Sequence, residues 1–236
     1  MSNWNEMTME QTKVGMATRN ILRNVYIWMA VALGITAVVA YGVAQNESFV
    51  VSLYQSGAIW AILIAKLVIV FVLGRMVMKM QPIVAVGVFA LFAVLMGIGL
   101  SSIFIVYEIG SIFKAFMGAS IMFGVMTVYG LTTKRDLTSW GTFLHMALIG
   151  LVIASLINVF LGSTTMDYVV SFIGIIIFTG LTAYDTQKIK QMSQSLGSSV
   201  TEPDYIRLSI LGALELYLDF INIFLFLLRF FGSSRD

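Results

Sequence analysis

Seven stretches of predominantly apolar residues follow one another along this chain, at 22–44, 57–78, 83–106, 112–132, 141–162, 168–186 and 207–231. A hydrocarbon core of ~30 Å is crossed by about 20 apolar residues rising ~1.5 Å each. Within hydrocarbon a segment has to satisfy its backbone internally, which leaves helices for single stretches of this length. The sequence therefore predicts an all-α integral membrane protein. Composition agrees: 59% of the chain is hydrophobic, 11% is charged and the mean hydropathy is +0.93, against ~25% charged for soluble domains.

The breaks carry turn chemistry. Asn46-Glu47-Ser48, Gln81-Pro82, Glu108-Ile109-Gly110, Lys134-Arg135-Asp136 and Gly162-Ser163-Thr164 are expected to close successive hairpins. One longer polar connection covers 187–206, with Pro203 and Asp204 placed to start the last helix. Both prolines fall in loops, so neither is expected to kink a span. The domain layout reads as a cytoplasmic tail over 1–21, a seven-helix transmembrane domain over 22–231 and a short tail over 232–236. Residues 1–20 lack an apolar core and a cleavage site, so no removable signal peptide is expected.

Charge orients the bundle. With Met1 inside, the inner loops hold ten of the fourteen Lys and Arg residues: Lys13, Arg19, Arg23, Arg75, Lys79, Lys134, Arg135, Lys188, Lys190 and Arg207. The outer side holds three, Lys114, Arg229 and Arg235, and Lys66 lies within a span. That bias predicts a cytoplasmic N-terminus and, with seven crossings, an outside C-terminus. A re-entrant last segment is the alternative, because that segment carries Glu215 and Asp219.

The acids in the last two apolar segments are the chemical signal. Asp185 lies in IIIFTGLTAYDTQK and Asp219 in ILGALELYLDFINIFLFLLRFF. A carboxylate in hydrocarbon costs ~3 kcal/mol on insertion scales and more in simulations. Two of them in successive segments point to ion or proton handling, with a packing pair as the bland alternative. Glu215, Asp219 and Asn222 follow an i, i+4, i+7 spacing and share one helix face. That face cannot look at lipid, which predicts that the C-terminal helix is central in the bundle. Contact between Asp185 and Asp219 depends on helix offset. If the last span starts at Arg207, Asp219 lies ~18 Å deep; a helical extension over 204–211 brings it to ~12 Å and within reach.

Other polar groups weigh less. Lys66 is expected to snorkel or to pair with an acid. His145, the lone histidine, opens the fifth span and reads as an interface residue. Small residues such as Gly97, Gly118, Gly124, Gly150, Gly174 and Gly180 read as close-packing positions. Enzyme chemistry finds no footing. There is no cysteine, a zinc protease needs two histidines on one helix, and neither Gly-x-Ser-x-Gly nor a phosphate loop occurs. Tyr184-Asp185 matches half of an intramembrane aspartyl protease, but the Gly-x-Gly-Asp and Pro-Ala-Leu elements are missing.

GLSSIFIVY (99–107), VYGLTTKRDLTSWG (128–141), GLTAYDTQKIK (180–190) and SILGALELYLDFINIFLFLLRFFG (209–232) resemble the Bax inhibitor family, especially its enterobacterial inner-membrane branch. The likeness runs from about Arg23 to Gly232. It implies six helices around a central final one, and a pair of aspartates at Asp185 and Asp219. It also implies a pH-sensitive calcium leak with protection from stress. The pair would serve as gate and pH sensor and as a weak calcium site, with Glu215 and Asn222 as its supporting polar face. No tightly bound cofactor is implied. A basic latch on the second helix has no counterpart in register, Arg75 and Lys79 lying nearby. The alternative function is a stress-protective regulator that binds a membrane-bound ATP-dependent protease through its N-terminal tail. Deleting residues 1–20 separates the two, since a leak survives that change and partner binding does not.

Overall fold

The computed structural model describes residues 2–195 and 201–233, with side chains from Val14 onward. The expected tail residues 234–236, including Arg235, lie outside the described residues, as do 196–200 of the polar connection. Among the described residues, nine α-helices and one 3-10 turn account for the regular structure: α1 Ser2–Ala44, α2 Glu47–Gln55, α3 Ala58–Met76, η1 Val77–Lys79, α4 Pro82–Leu100, α5 Ile103–Val106, α6 Ile109–Thr132, α7 Thr138–Leu161, α8 Thr164–Ser195 and α9 Glu202–Phe231. No strand occurs among the described residues.

Among the described residues, seven helical segments are long and apolar enough to cross a membrane: Val14–Ala44, Ala58–Lys79, Pro82–Val106, Ile109–Thr132, Thr138–Leu161, Thr164–Ser195 and Glu202–Phe231. The seven spans read from the sequence are all present, with three differences at their edges. The first span begins at Val14 within a helix that starts at Ser2, so the expected tail is helical backbone. Residues after Asn46 form α2, because the Asn46 side chain accepts the Phe49 N–H at 3.0 Å and caps a new helix. Most consequentially, α8 runs on to Ser195 and α9 begins at Glu202, so much of the expected polar loop is helix. At about 48 Å and 45 Å, these two helices exceed a ~30 Å core.

The chain divides into two compact units, Met1–Ser102 with Ile189–Glu215 and Ile103–Lys188 with Leu216–Asp236. In the first, α1 and α4 meet closely: a Cβ on Gly97 would stand 2.7 Å from Val39 Cβ, and Thr36 donates to the Ala93 carbonyl at 2.9 Å. The early part of α9 packs here too, with Gly212 against Val25 and Ile189. Arg207 donates through Nε to the Met80 carbonyl at 2.7 Å and through Nη1 to Asp204 at 2.9 Å, tying α9 to the α3–α4 connection.

In the second unit α8 is flanked by α6, α7 and the later part of α9. Gly130 of α6 lies against Ala183 and Thr186, Leu144 of α7 fills the space over Gly180, and Phe226 of α9 covers Gly174. Phe220 of α9 meets Phe116 and Phe123 of α6 edge-on at 5.4 and 5.7 Å. At the far end the Ser233 N–H donates to Ser111 Oγ at 3.0 Å, and the Glu108 N–H donates to the Ser233 carbonyl at 3.2 Å. The last segment is thus one uninterrupted helix that ends beside the start of α6, not a re-entrant hairpin. It is also the most shielded of the seven, with 67% of its apolar window buried against 11% for α3, as the shared polar face requires.

Candidate functional site

Asp185 and Asp219 are both buried, at 7% and 3% exposure. Their relation follows from the packing of α8 on α9. Phe172 stacks near Phe230 and Phe178 near Phe226, with ring centroids 6.1 and 5.9 Å apart, so the helices are antiparallel in this region. Asp185 lies seven residues after Phe178, and Asp219 lies seven residues before Phe226. Seven residues is two turns to within ~20°, so each aspartate projects from the face that carries its phenylalanine. The two carboxyl groups therefore stand at one level on faces turned toward each other. The helix offset that the sequence left open is supplied by continuous helix on both sides of the connection.

The frame around Asp185 is tightly specified. Gln187, 8% exposed, accepts the Leu137 N–H through Oε1 and donates through Nε2 to the Arg135 carbonyl, both at 2.9 Å. One amide thus clamps the α6–α7 loop to α8. Tyr184 lies over Gly141, where no Cβ would fit. Thr182 and Thr186 are fully buried, and Thr182 donates to the Phe178 carbonyl at 2.8 Å. These fixtures went unread in the sequence. Gln187 was legible only as part of a polar tail, because its partners are backbone groups fifty residues away.

The remaining sequence candidates fall as follows. Glu215 is half-buried, one turn before Asp219 on the same helix. Asn222 is half-buried and donates Nδ2 to the Leu218 carbonyl at 2.7 Å, so its amide N–H is turned back on its own helix. His145 is exposed and meets Tyr184 edge-on at 5.7 Å. Its Nδ1 lies 2.8 Å from the Gly141 carbonyl, which accepts a hydrogen bond from that nitrogen. Lys66 does not pair with an acid: among the described residues it makes no ion pair, and its ammonium lies 3.0 Å from the place of a Cβ on Gly99 of α4. Among the described residues no group of three or more His, Cys, Asp or Glu side chains is poised for a metal. A hard cation at the aspartate pair would complete its 6–8 oxygens from carbonyls, hydroxyls and water.

The family model for "Inhibitor of apoptosis-promoting Bax1" matches residues 18–236. The chain belongs to the Bax inhibitor family. It is 47% identical over 227 residues to the inner membrane protein YbhL of Escherichia coli strain K12, covering 95% of each chain. It is 40% identical over 231 residues to a protein of Deinococcus radiodurans, covering 98% of this chain and 97% of that one. It is 36% identical over 227 residues to a membrane protein of Streptococcus pyogenes serotype M3, covering 95% and 96%. This member of the Bax inhibitor family is a multi-pass membrane protein.

Proposed function

We propose that this protein is a pH-sensitive cation leak of the inner membrane, with calcium as its preferred cargo and the Asp185–Asp219 pair as its gate. The observation that carries the reading is the placement of two buried carboxyl groups at one level of facing helices. Two carboxyl groups in such a site share a proton, because ionising both sets like charges against each other in a low dielectric. The shared proton ties α8 to α9. Its loss leaves two charges that part or take up a cation. Few carboxylates and a hard cation make a weak site, which suits conduction, since a permeating ion has to leave as readily as it enters.

The test is calcium flux into liposomes holding only the purified protein, measured across pH. Asp185→Asn and Asp219→Asn each keep size and remove titration, so each flattens the pH dependence. The double substitution adds little, because the pair acts as a unit. A pH response lost in Asp219→Asn but intact in Asp185→Asn would refute the pair and make Glu215 the partner of Asp219.

A further inference from the structure

Hydroxyls in spanning helices ordinarily donate to the carbonyl one turn back, as Ser120, Thr132, Ser155 and Thr182 do here. Three hydroxyls of α8 depart from that habit. Among the described residues, Ser171 Oγ, Thr179 Oγ1 and Thr186 Oγ1 are buried and have no hydrogen-bond partner. Ser171 and Thr186 are 0% exposed as residues. A buried hydroxyl left unsatisfied is destabilising, and three on one helix call for a polar partner.

Their placement is not scattered. At ~100° per residue, Ser171, Thr182, Thr186 and Thr179 fall within an arc of about 80° on α8. On one side of that arc lies the face of Phe178 and Asp185, turned to α9. On the other lies Ala183, which with Thr186 of the arc itself stands against Gly130 of α6. Thr127 of α6, one turn before Gly130, also has a buried hydroxyl with no hydrogen-bond partner among the described residues. Phe116 and Phe123 bring α6 onto Phe220 of α9, so the three helices meet along this line. From Ser171 to Thr186 the row extends fifteen residues, about 22 Å of a ~30 Å core. It ends at the residue after Asp185.

We propose that the hydroxyls of Ser171, Thr179 and Thr186, joined by Thr127, line a hydrated seam between α6, α8 and α9 along which water-bridged cations reach the Asp185–Asp219 pair. The assignment rests on the leak reading for its cargo, but the seam itself is a statement about water. Hydroxyls serve both needs: each offers lone pairs to a cation and a proton to water. Successive members stand ~10–12 Å apart, a gap that a few bridged waters close.

The chain has no cysteine, so single cysteines report cleanly. Ser171→Cys, Thr179→Cys and Thr186→Cys are placed in the full-length protein in sealed vesicles, with Val169→Cys and Ile176→Cys as lipid-facing controls, 51% and 55% exposed. A charged, water-soluble methanethiosulfonate is expected to modify the three seam positions at least tenfold faster than the controls. Calcium is expected to slow modification at 186. Thr179→Val and Thr186→Val, which keep shape, are expected to fold normally and to lower calcium flux at least threefold. Seam positions as inert as the controls in a protein that still passes calcium would overturn the seam and leave the leak. Fast modification in a protein that passes no calcium would uphold the seam and overturn the leak.

Discussion

Replacing Gly130 with alanine tests how α8 is held against α6. A Cβ at that position would lie 3.0 Å from Thr186 Cβ and 3.2 Å from the Ala183 carbonyl carbon, and closer still to the Ala183 oxygen. Ordinary carbon contacts are ~3.5–4.0 Å. A side-chain tip could swing away, but a carbonyl within a helix cannot. The added methyl group therefore pushes α6 off α8, and overpacking of that kind costs about 1–3 kcal/mol. Gly150 on α7 is the matched control, since a Cβ there meets nothing within 4 Å. Alanine at 150 gains the helix propensity that glycine lacks, up to ~1 kcal/mol. The two substitutions are chemically identical and both sit within helices, so the propensity gain cancels and they differ by the overpacking cost, about 1–3 kcal/mol. At 1.4 kcal/mol per decade, that separates their unfolding equilibria by roughly five- to one-hundred-and-fortyfold. Titration with SDS from mild detergent, followed by tryptophan fluorescence, reads the difference. If Gly130→Ala proved as stable as Gly150→Ala, the close approach of α6 to α8 would be wrong.

Gln187→Ala is expected to strip the Leu137 N–H and the Arg135 carbonyl of their partners, costing about 1–3 kcal/mol and raising amide exchange at Leu137. Unchanged exchange there would show that the clamp does not hold the loop. Asp136, outside the spans, has its carboxyl held below the usual carboxylate range by the Thr138 hydroxyl and then the Thr138 N–H. Its folded value is depressed, so it stabilises above the unfolded value and the contribution fades as pH falls through the folded one. Asp136→Ala should accordingly lower thermal stability at neutral pH and converge with the native protein in acid; a gap that persists in acid would contradict the assignment. A reporter fused after Asp236 is expected to be active only outside the cytoplasm, in line with the ten-to-three charge bias. Activity inside would reverse the orientation.

Hydropathy made the seven spans legible because lipid removes most alternatives to an apolar helix. The three-residue polar pattern at Glu215, Asp219 and Asn222 foretold a shielded last helix for the same reason: a polar face has one tolerable environment. What stayed illegible depends on register. Whether Asp185 meets Asp219 turns on where polar helix continues beyond the membrane, and Lys188, Ser193 and Asp204 are as compatible with loop as with helix. The Gln187 clamp answers to carbonyls and N–H groups, which every residue carries and which leave no mark in sequence. Likewise, a Thr that bonds its own helix and a Thr that does not look identical on the page.

The poor burial of α3 has an evolutionary consequence. Trp60, Ile64, Leu67 and Phe71 all present more than half their surface outward. Such positions ask for oiliness and helix propensity but not for shape. Drift among Leu, Ile, Val, Phe and Met should be close to neutral there, while α9, packed on most sides, tolerates few exchanges. Relatives 36–47% identical to this chain should therefore have accumulated their differences disproportionately on the helix that faces lipid, so that divergence along the sequence becomes a map of what each helix touches.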